Sequence, residues 1–206
     1  MKHTVADGRK RRGLANRQSI LKAAEEIFLK SGYSDNTMMD ISRKAGVGYG
    51  TLYTHFKGKD DILKNLMNEI AEDFNKILYR PYEPNSIHEV EQRQVQEIRH
   101  VLQLAVKHRL LLQIIYQAMG RSSTIQNYLE DLFQQYIDKA VEDYAYSCNK
   151  GLAKMHIRHE VAAKTIVYMI KEYFWDVVLD RENDIETISK NITSIYLHGA
   201  YKQSNK

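Results

Sequence analysis

The sequence predicts an all-α protein, and three observations lead to that prediction. Apolar residues recur at helical spacing over long stretches of the 206-residue chain, and no stretch alternates in the way of a half-buried strand. Only two prolines occur, Pro81 and Pro84, so few positions interrupt a helix. Capping residues and helix-ending glycines then divide the periodic stretches into about nine helices.

The first three predicted helices are short and closely spaced. Helix 1 runs from about Leu14 to Lys30, and helix 2 begins after Thr37, which has the spacing of a capping box with Asp40. Gly46 lies where helix 2 has to end, because glycine readily adopts the left-handed conformation of a C-cap. Helix 3 follows at about Tyr49–His55.

Helix 3 is apolar on one side and hydrogen-bonding on the other. Leu52 and Phe56 are four residues apart and therefore lie on one face. The opposite face carries side chains with little or no formal charge, namely Tyr49, Thr51, Tyr53 and His55. A short helix of this kind suits insertion into the major groove of DNA. Helices 2 and 3 therefore predict a helix-turn-helix.

The order and spacing of these motifs resemble the TetR family of bacterial transcriptional regulators over roughly residues 14–66. The resemblance is carried by Ile20, Ala24, Ile27, Phe28, Ser31-Gly32-Tyr33, Thr37–Ile41, Ala45-Gly46-Val47 and the run Thr51–Lys59. Gly48 departs from the serine often found at its position. The resemblance implies a three-helix DNA-binding domain at residues 14–60 and a helical ligand-binding and dimerisation domain at residues 61–206.

The charge distribution agrees with a DNA-binding N-terminal end. Residues 1–60 carry a net charge of +6 and residues 61–206 a net charge of −2. Residues 1–13 are expected to form a basic, disordered arm. Its run Arg9–Arg12 is either a solvated leader or a segment that contacts the minor groove or the DNA backbone.

The predicted DNA contacts fall into two groups. Residues at the start of the recognition helix are expected to reach base edges, and these are Tyr49, Gly50 and Thr51. The expected phosphate contacts are Thr37, Gly48, Tyr53, His55 and Lys59. Tyr53 and His55 also admit a second interpretation, as residues that pack within the domain.

The remaining six helices follow from periodicity, caps and breakers. Helix 4 begins near Lys59, keeps its apolar period as far as Ile77 and is followed by a proline-marked loop. The others are predicted at Ile87–Lys107, Arg109–Met119, Thr124–Asn149, His159–Leu179 and Asp184–His198.

Helices 8 and 9 bear on the oligomeric state. Helix 8 is apolar around most of its circumference, and helix 9 repeats isoleucine at spacings of three, four and three residues. Both helices either complete the core of one protomer or pair with their two-fold copies, and the resemblance favours a homodimer. The predicted interface residues are Phe174, Val178, Ile185, Ile188, Ile192 and Ile195.

Fourteen tyrosines are many for this length, and several fall on inward-facing helical rows. They either build a plain aromatic core or line a pocket for a small-molecule effector, which the resemblance implies. The candidate pocket residues are Phe74, Tyr116, Met119, Phe133, Tyr136, Tyr144, Tyr173 and Trp175. Because Glu172 and Asp176 are expected to be solvated, an apolar or amphipathic effector is favoured over a cation.

No enzyme motif occurs in the sequence: it has no phosphate-binding glycine loop, nucleophile elbow or zincin motif. No cofactor or metal is expected, the single Cys148 excludes an internal disulfide, and the lack of a signal or membrane-spanning segment favours the cytoplasm. The sequence predicts a homodimeric repressor that an effector releases from palindromic double-stranded DNA. A metal-responsive regulator and a non-enzymatic helical adaptor are the alternatives.

Overall fold

The computed structural model describes residues 3–198, and nine α-helices without a strand make up the regular structure of that range. The helices are α1 (His3–Ser31), α2 (Met38–Ala45), α3 (Tyr49–His55), α4 (Lys59–Leu78), α5 (Ile87–Lys107), α6 (Arg109–Met119), α7 (Ser123–Asn149), α8 (His159–Val178) and α9 (Ile185–His198). The prediction of an all-α fold is confirmed. The starts of α7 and α9 and the end of α8 differ from their predicted positions by one residue.

The helices form two compact units. The N-terminal unit contains the described residues up to Ile70 together with Leu110–Tyr128. The C-terminal unit contains Ala71–Arg109 and the described residues from Leu129 onward. This division differs from the predicted boundary after residue 60, because α6 and the start of α7 belong with the first three helices. Helices α4 and α7 each contribute residues to both units.

Helix α1 begins much earlier than predicted. It starts at His3, so the expectation of a disordered arm is wrong for residues 3–13, whereas residues 1 and 2 lie outside the described range. Lysine and arginine favour helix, and the two glycines of this stretch, Gly8 and Gly13, cost only about 1 kcal/mol each in a helix that no proline interrupts. The basic residues of Arg9–Arg12 are exposed along this helical extension.

The core of the N-terminal unit joins α1 to the helix-turn-helix. Its most completely buried side chains are Ile20, Ala24, Phe28, Ile41, Leu52, Phe56, Ile62 and Leu63. Burying one large apolar side chain contributes about 1.5–3 kcal/mol, so Leu52 and Phe56 fix the inward face of α3. The Arg17 guanidinium also lies 5.2 Å from the centre of the Phe56 ring.

The predicted capping box and C-cap of α2 are both present. The Thr37 hydroxyl accepts a hydrogen bond from the Asp40 N–H at 3.2 Å, and the Asp40 carboxylate accepts one from the Thr37 N–H at 3.0 Å. Donation to the Asp40 carboxylate by the Thr37 hydroxyl, and then by the Thr37 N–H, holds the pKa of Asp40 below its usual range. At the other end Gly46 has a φ of 68°, and its N–H bonds to the carbonyls of Arg43 and Ser42.

In the C-terminal unit, α5 lies against α8 and α9. Their shared core includes Ile98, Leu102, Val177, Val178 and Ile192. The buried hydroxyls of Ser189 and Thr193 donate to carbonyls of their own helix at 2.7 and 2.9 Å.

The predicted interface residues differ in how far the single protomer buries them. Val178 and Ile192 are 0% and 2% exposed in the single protomer, and Phe174 and Ile188 are also buried. Helical spacing identifies a buried face but does not distinguish a protomer's own core from an interface. Ile185 is half-buried, and Ile195 is 48% exposed. Exposed apolar residues on α8 are instead Val161, Tyr168 and Tyr173.

Gly46 and Gly50 form a matched pair that tests the backbone of the helix-turn-helix. Gly46 has a positive φ, so Gly46→Ala should lower the free energy of unfolding by about 1–2 kcal/mol. Gly50 lies inside α3 with no atom within 4 Å of an added Cβ, so Gly50→Ala should raise it by about 0.5–1 kcal/mol. Urea unfolding followed by circular dichroism measures both changes. Shifts of the same sign would contradict these backbone assignments.

Candidate DNA-binding surface and ligand cavity

The outward face of α3 carries two tyrosines that contact each other. Tyr49 and Tyr53 are 44% and 45% exposed, and their rings meet edge to face with centroids 4.9 Å apart. Their hydroxyl oxygens are 3.2 Å apart, so one phenol donates to the other and only one O–H can point to an external acceptor. This hydrogen bond raises the pKa of Tyr53, which keeps the phenol a donor at neutral pH.

The backbone is exposed at the start of α3, at Gly48 and Gly50. Gly48 is the N-cap residue, and no side chain caps the helix there. Gly50 is exposed and has open space around it, so another molecule can approach the backbone closely at this position. The structure thus brings Gly48, Tyr49, Gly50 and Thr51 together at one end of the helix, with Tyr53 one turn further on.

The other predicted phosphate contacts are engaged inside the unit to different degrees. Thr37 uses its hydroxyl within the capping box, where it also donates to the Asp40 carboxylate at 2.6 Å. His55 is half-buried, and its ring lies 4.0 Å from the Cβ position of Gly13 on α1. The contacts of these residues with DNA therefore stay predictions.

Lys59, another predicted phosphate contact, already has hydrogen-bond partners inside the unit. Its ammonium donates to the carbonyl of Tyr33 at 2.9 Å and lies 4.8 Å from the centre of the Tyr33 ring. Burial, opposed by the charges of nearby aspartates, lowers the pKa of Lys59. A phosphate would have to compete with these internal contacts. Lys57 is exposed on the same open depression as Thr37 and Lys59, and the Phe-Lys-Gly-Lys run could have indicated it.

The turn between α6 and α7 is tied to the start of α4. Asp60 accepts hydrogen bonds from the hydroxyls of Tyr33 and Ser122, the second at 2.6 Å. Arg121 donates to the Ser34 hydroxyl at 2.7 Å. Burial and then the hydrogen bond to Asp60 raise the pKa of Tyr33, so this phenol stays a donor. No local sequence signal indicates the contacts of Ser122 and Arg121, because they join residues about 60 to 90 positions apart.

The C-terminal unit contains a cavity of about 150 Å³. It is lined by Leu78, Tyr82, Ile87, Val90, Arg93, Gln94, Glu97, Ile98, Val101, Tyr136, Lys139, Ala140, Asp143, Tyr144, Ser147, Leu152, Ala153, Ile166, Val167, Ile170, Tyr196 and Leu197. The wall is largely apolar and holds one cluster of charged and hydroxyl groups. This composition is the usual one for a small-molecule site.

Two ion pairs and a tyrosine form the polar part of the wall. Arg93 pairs with Glu97 at 2.8 Å on α5, and Lys139 pairs with Asp143 on α7. The guanidinium of Arg93 and the ammonium of Lys139 lie 5.0 and 5.9 Å from the centre of the Tyr82 ring. Burial raises the pKa of both Glu97 and Asp143, although the paired cations oppose it.

Two polar atoms beside this cluster have no hydrogen-bond partner among the described residues. Arg93 donates through its terminal nitrogens to the carbonyls of Arg80 and Pro81, but its Nε is buried and unpaired. Oε1 of the neighbouring Gln94 is also buried and unpaired. Such atoms cost free energy when they stay unsatisfied.

The structure places two of the eight predicted pocket residues, Tyr136 and Tyr144, on the cavity wall. The other six do not line it. Phe74 and Trp175 pack on Phe174, with ring centroids 5.7 and 5.1 Å away. Phe133 packs beside Tyr136, and Tyr173 is exposed, while Tyr116 and Met119 belong to the N-terminal unit.

The charged members of the cavity wall were missed because charged residues in amphipathic helices normally face water. One signal was available: Arg93 and Glu97, and likewise Lys139 and Asp143, are four residues apart on one helix. Across the part of the chain that the structure describes, no group of three His, Cys, Asp or Glu side chains could hold a metal ion. No helix in residues 3–198 has the length and apolar character needed to cross a membrane.

Comparison with known proteins identifies relatives of both parts of the chain. Residues 20–66 match the family model of bacterial regulatory proteins, tetR family. The chain is 31% identical over 140 residues to the HTH-type transcriptional regulator SrpR of Pseudomonas putida, covering 61% of this chain and 59% of SrpR. It is 32% identical over 136 residues to the uncharacterized HTH-type transcriptional regulator TtgW, also of Pseudomonas putida, covering 59% of this chain and 90% of TtgW.

The fold has relatives among solved structures as well. It resembles the transcriptional regulator FadR of Bacillus subtilis, solved in complex with stearoyl-CoA, with a TM-score of 0.65 and 22% identity. The match covers 89% of this chain and 99% of FadR. At this identity the likeness concerns the fold alone.

The raised pKa of Glu97 gives the C-terminal unit a testable pH dependence. Because burial makes the folded unit hold this proton more tightly than the unfolded chain does, the stabilisation is complete at low pH. It is lost as the pH rises above the ordinary glutamate pKa of about 4.3 and through the raised one. In Glu97→Gln this loss cannot occur, so the stability of wild type relative to the variant should fall as the pH rises above about 4.3.

Urea unfolding at several pH values measures this difference. Glu172→Gln is the matched control, since it removes an exposed charge of α8 without touching the cavity, and should leave the profile unchanged. A difference between wild type and Glu97→Gln that stays constant with pH would contradict the assigned cause.

Proposed function

The chain belongs to the TetR family of bacterial regulatory proteins, and from that premise we propose that it is a non-enzymatic, homodimeric repressor that a small amphipathic ligand releases from a palindromic operator. It acts where its operator DNA is, in the cytoplasm. The observation that carries the proposal is the exposed, uncharged hydrogen-bonding face of α3, formed by Tyr49, Gly50, Thr51 and Tyr53 opposite the buried Leu52.

The electrostatics of the N-terminal unit support DNA as the partner. Residues 1–60 carry a net charge of +6, and the basic run Arg9–Arg12 is exposed on the early turns of α1. Lysine and arginine on such a surface supply affinity for phosphates, which does not depend on base sequence. The uncharged residues of α3 are suited to the other part of the task, the discrimination of bases.

A dimer supplies the second half of operator recognition. One recognition helix contacts few base pairs, whereas two helices about 34–36 Å apart meet successive major grooves of a palindrome. Exposed apolar side chains on α8 and α9, which include Val161, Tyr168, Tyr173 and Ile195, offer a surface that a second protomer can cover. These residues replace the buried ones that periodicity alone selects.

The cavity supports regulation by a ligand. FadR of Bacillus subtilis, which shares the fold, was solved with stearoyl-CoA bound, and the C-terminal unit here has its own partly polar cavity. Helix α4 has residues in both units, so a ligand that favours one arrangement of its C-terminal part can alter the start of the helix. A coupling free energy of about 1–3 kcal/mol lowers DNA affinity roughly 5–150-fold.

Selection from a random library of DNA duplexes, at near-physiological salt, tests the central claim. A dimeric sequence reader should enrich a palindrome whose half-sites are one helical turn apart. Enrichment of a single half-site would contradict the dimer. Recovery of duplexes without a common sequence, bound only in a salt-dependent way, would contradict sequence-specific recognition.

Gly50→Ala separates DNA recognition from stability. The added methyl stabilises α3, yet it occupies the space through which DNA approaches the helix, so affinity for the selected duplex should fall about tenfold or more. Fluorescence anisotropy with the labelled duplex measures this loss. Gly8→Ala, in the helical extension of α1 and also with open space around it, is the control and should bind the duplex like wild type. Unchanged affinity of Gly50→Ala would exclude close approach at this position.

A further inference from the structure

The two phenols on the outward face of α3 share their hydrogen bonds. The hydroxyl oxygens of Tyr49 and Tyr53 are 3.2 Å apart, and either hydroxyl can be the donor. The edge-to-face contact of the rings, with centroids 4.9 Å apart, keeps the side chains together. Because a phenol has one proton, the tyrosine that donates within the pair can meet a third group only as an acceptor.

The two tyrosines occupy different places along the recognition helix. Tyr49 is the first residue of α3, and Tyr53 lies four residues later, about 6 Å further along the helix axis. In a helix-turn-helix, residues at the N-terminal end of the recognition helix contact base edges, whereas later residues approach the sugar-phosphate backbone. Tyr49 is therefore the member placed for a base, and Tyr53 is the member placed for a phosphate.

The phosphate determines which phenol donates within the pair. A phosphate oxygen has no proton to give, so Tyr53 has to donate to it. A hydrogen bond from a hydroxyl to an anion is roughly twice as strong as one between neutral groups, so the proton of Tyr53 goes to the phosphate and not to Tyr49. The oxygen of Tyr53 then accepts from Tyr49. With its own proton used in this way, Tyr49 presents only lone pairs to a base.

This restriction has a counterpart in the major groove. Adenine and cytosine carry an exocyclic amino group there, which is a hydrogen-bond donor, whereas guanine and thymine carry a carbonyl oxygen in its place. A phenol that can only accept is complementary to the amino group. Against the carbonyl oxygen it brings two sets of lone pairs together.

We propose that Tyr49 accepts a hydrogen bond from the exocyclic amino group of an adenine or a cytosine, and that Tyr53, by donating to a phosphate, fixes Tyr49 as an acceptor. This inference names a determinant of base preference and so rests on the proposed function. Tyr53 contributes to specificity as a positioning residue, without touching a base. Each half-site of the operator then has a position that admits adenine or cytosine and disfavours guanine and thymine.

Single-base-pair variants of the selected duplex test the role of Tyr49. At each position of one half-site, the four possible base pairs are compared by fluorescence anisotropy with the full chain. At one position wild type should bind adenine and cytosine about tenfold more tightly than guanine and thymine. Tyr49→Phe keeps the ring and loses the oxygen, so this preference should disappear at that position alone. A half-site without such a position, or a preference that Tyr49→Phe retains, would overturn the proposal.

Tyr53→Phe tests whether the neighbouring phenol directs the proton. Affinity for all four duplexes should fall several-fold, because the phosphate contact is lost. The preference for amino groups should disappear as well, since the proton of Tyr49 becomes free to meet a carbonyl oxygen. Tyr79→Phe, which removes a 47% exposed phenol from the C-terminal unit, is the matched control and should behave like wild type. A uniform loss of affinity with the preference intact would contradict the directing role of Tyr53.

Base analogues identify the group on the DNA. With adenine at the position that Tyr49 contacts, purine removes the amino group and keeps N7, whereas 7-deazaadenine keeps the amino group and removes N7. Wild type should lose about tenfold in affinity with purine and little with 7-deazaadenine. Because purine also weakens the base pair, the same loss is measured in Tyr49→Phe, where it should be smaller. Greater sensitivity to 7-deazaadenine would mean that Tyr49 donates, which contradicts the proposal.

Failure of this inference can be told apart from failure of the proposed function. A selected palindrome in which no position shows the preference for adenine and cytosine keeps the sequence-specific regulator and removes the role assigned to the tyrosine pair. Selected duplexes that share no sequence would overturn both.

Discussion

The orientation of the candidate DNA-binding face of α3 depends on the burial of Leu52 and Phe56. These side chains pack into the same core as Phe28 of α1 and Ile41 of α2, so the rotation of α3 about its own axis is set by apolar contacts that DNA never touches. Tyr49 and Tyr53 then face outward as a consequence. Because α3 has only seven residues and no side-chain cap, its own hydrogen bonds could not hold it in place. The recognition surface is therefore as rigid as the core behind it.

The wall of the cavity in the C-terminal unit contains two ion pairs, Arg93 with Glu97 and Lys139 with Asp143. Two ion pairs that are largely removed from water contribute little net stability, since desolvation offsets much of their attraction. Burial accordingly raises the pKa of both carboxyl groups. A ligand bound against these pairs would have to leave them undisturbed or replace one member.

The helix-turn-helix could be predicted in detail because its signals are local. The capping box at Thr37, the left-handed Gly46 and the apolar spacing of Leu52 and Phe56 each act within a few residues, and the structure contains all three. Contacts between distant residues could not be predicted, such as those of Asp60 with Ser122 or the convergence of Arg93 and Lys139 on Tyr82. The isoleucine spacing of α9 marked a buried face correctly, but Ile188 and Ile192 face the core of their own protomer. Periodicity reports that a face is covered and does not report what covers it.

The open space at Gly50 has a consequence for how such a protein can change over generations. Residues that determine sequence preference usually also support the fold, so that altering one endangers the other. Position 50 differs, because an added Cβ has no described atom within 4 Å and alanine there favours the helix more than glycine does. A duplicated gene can accept substitutions at this codon without losing a folded product. A chain altered at this position would keep the same scaffold and the same cavity in its C-terminal unit.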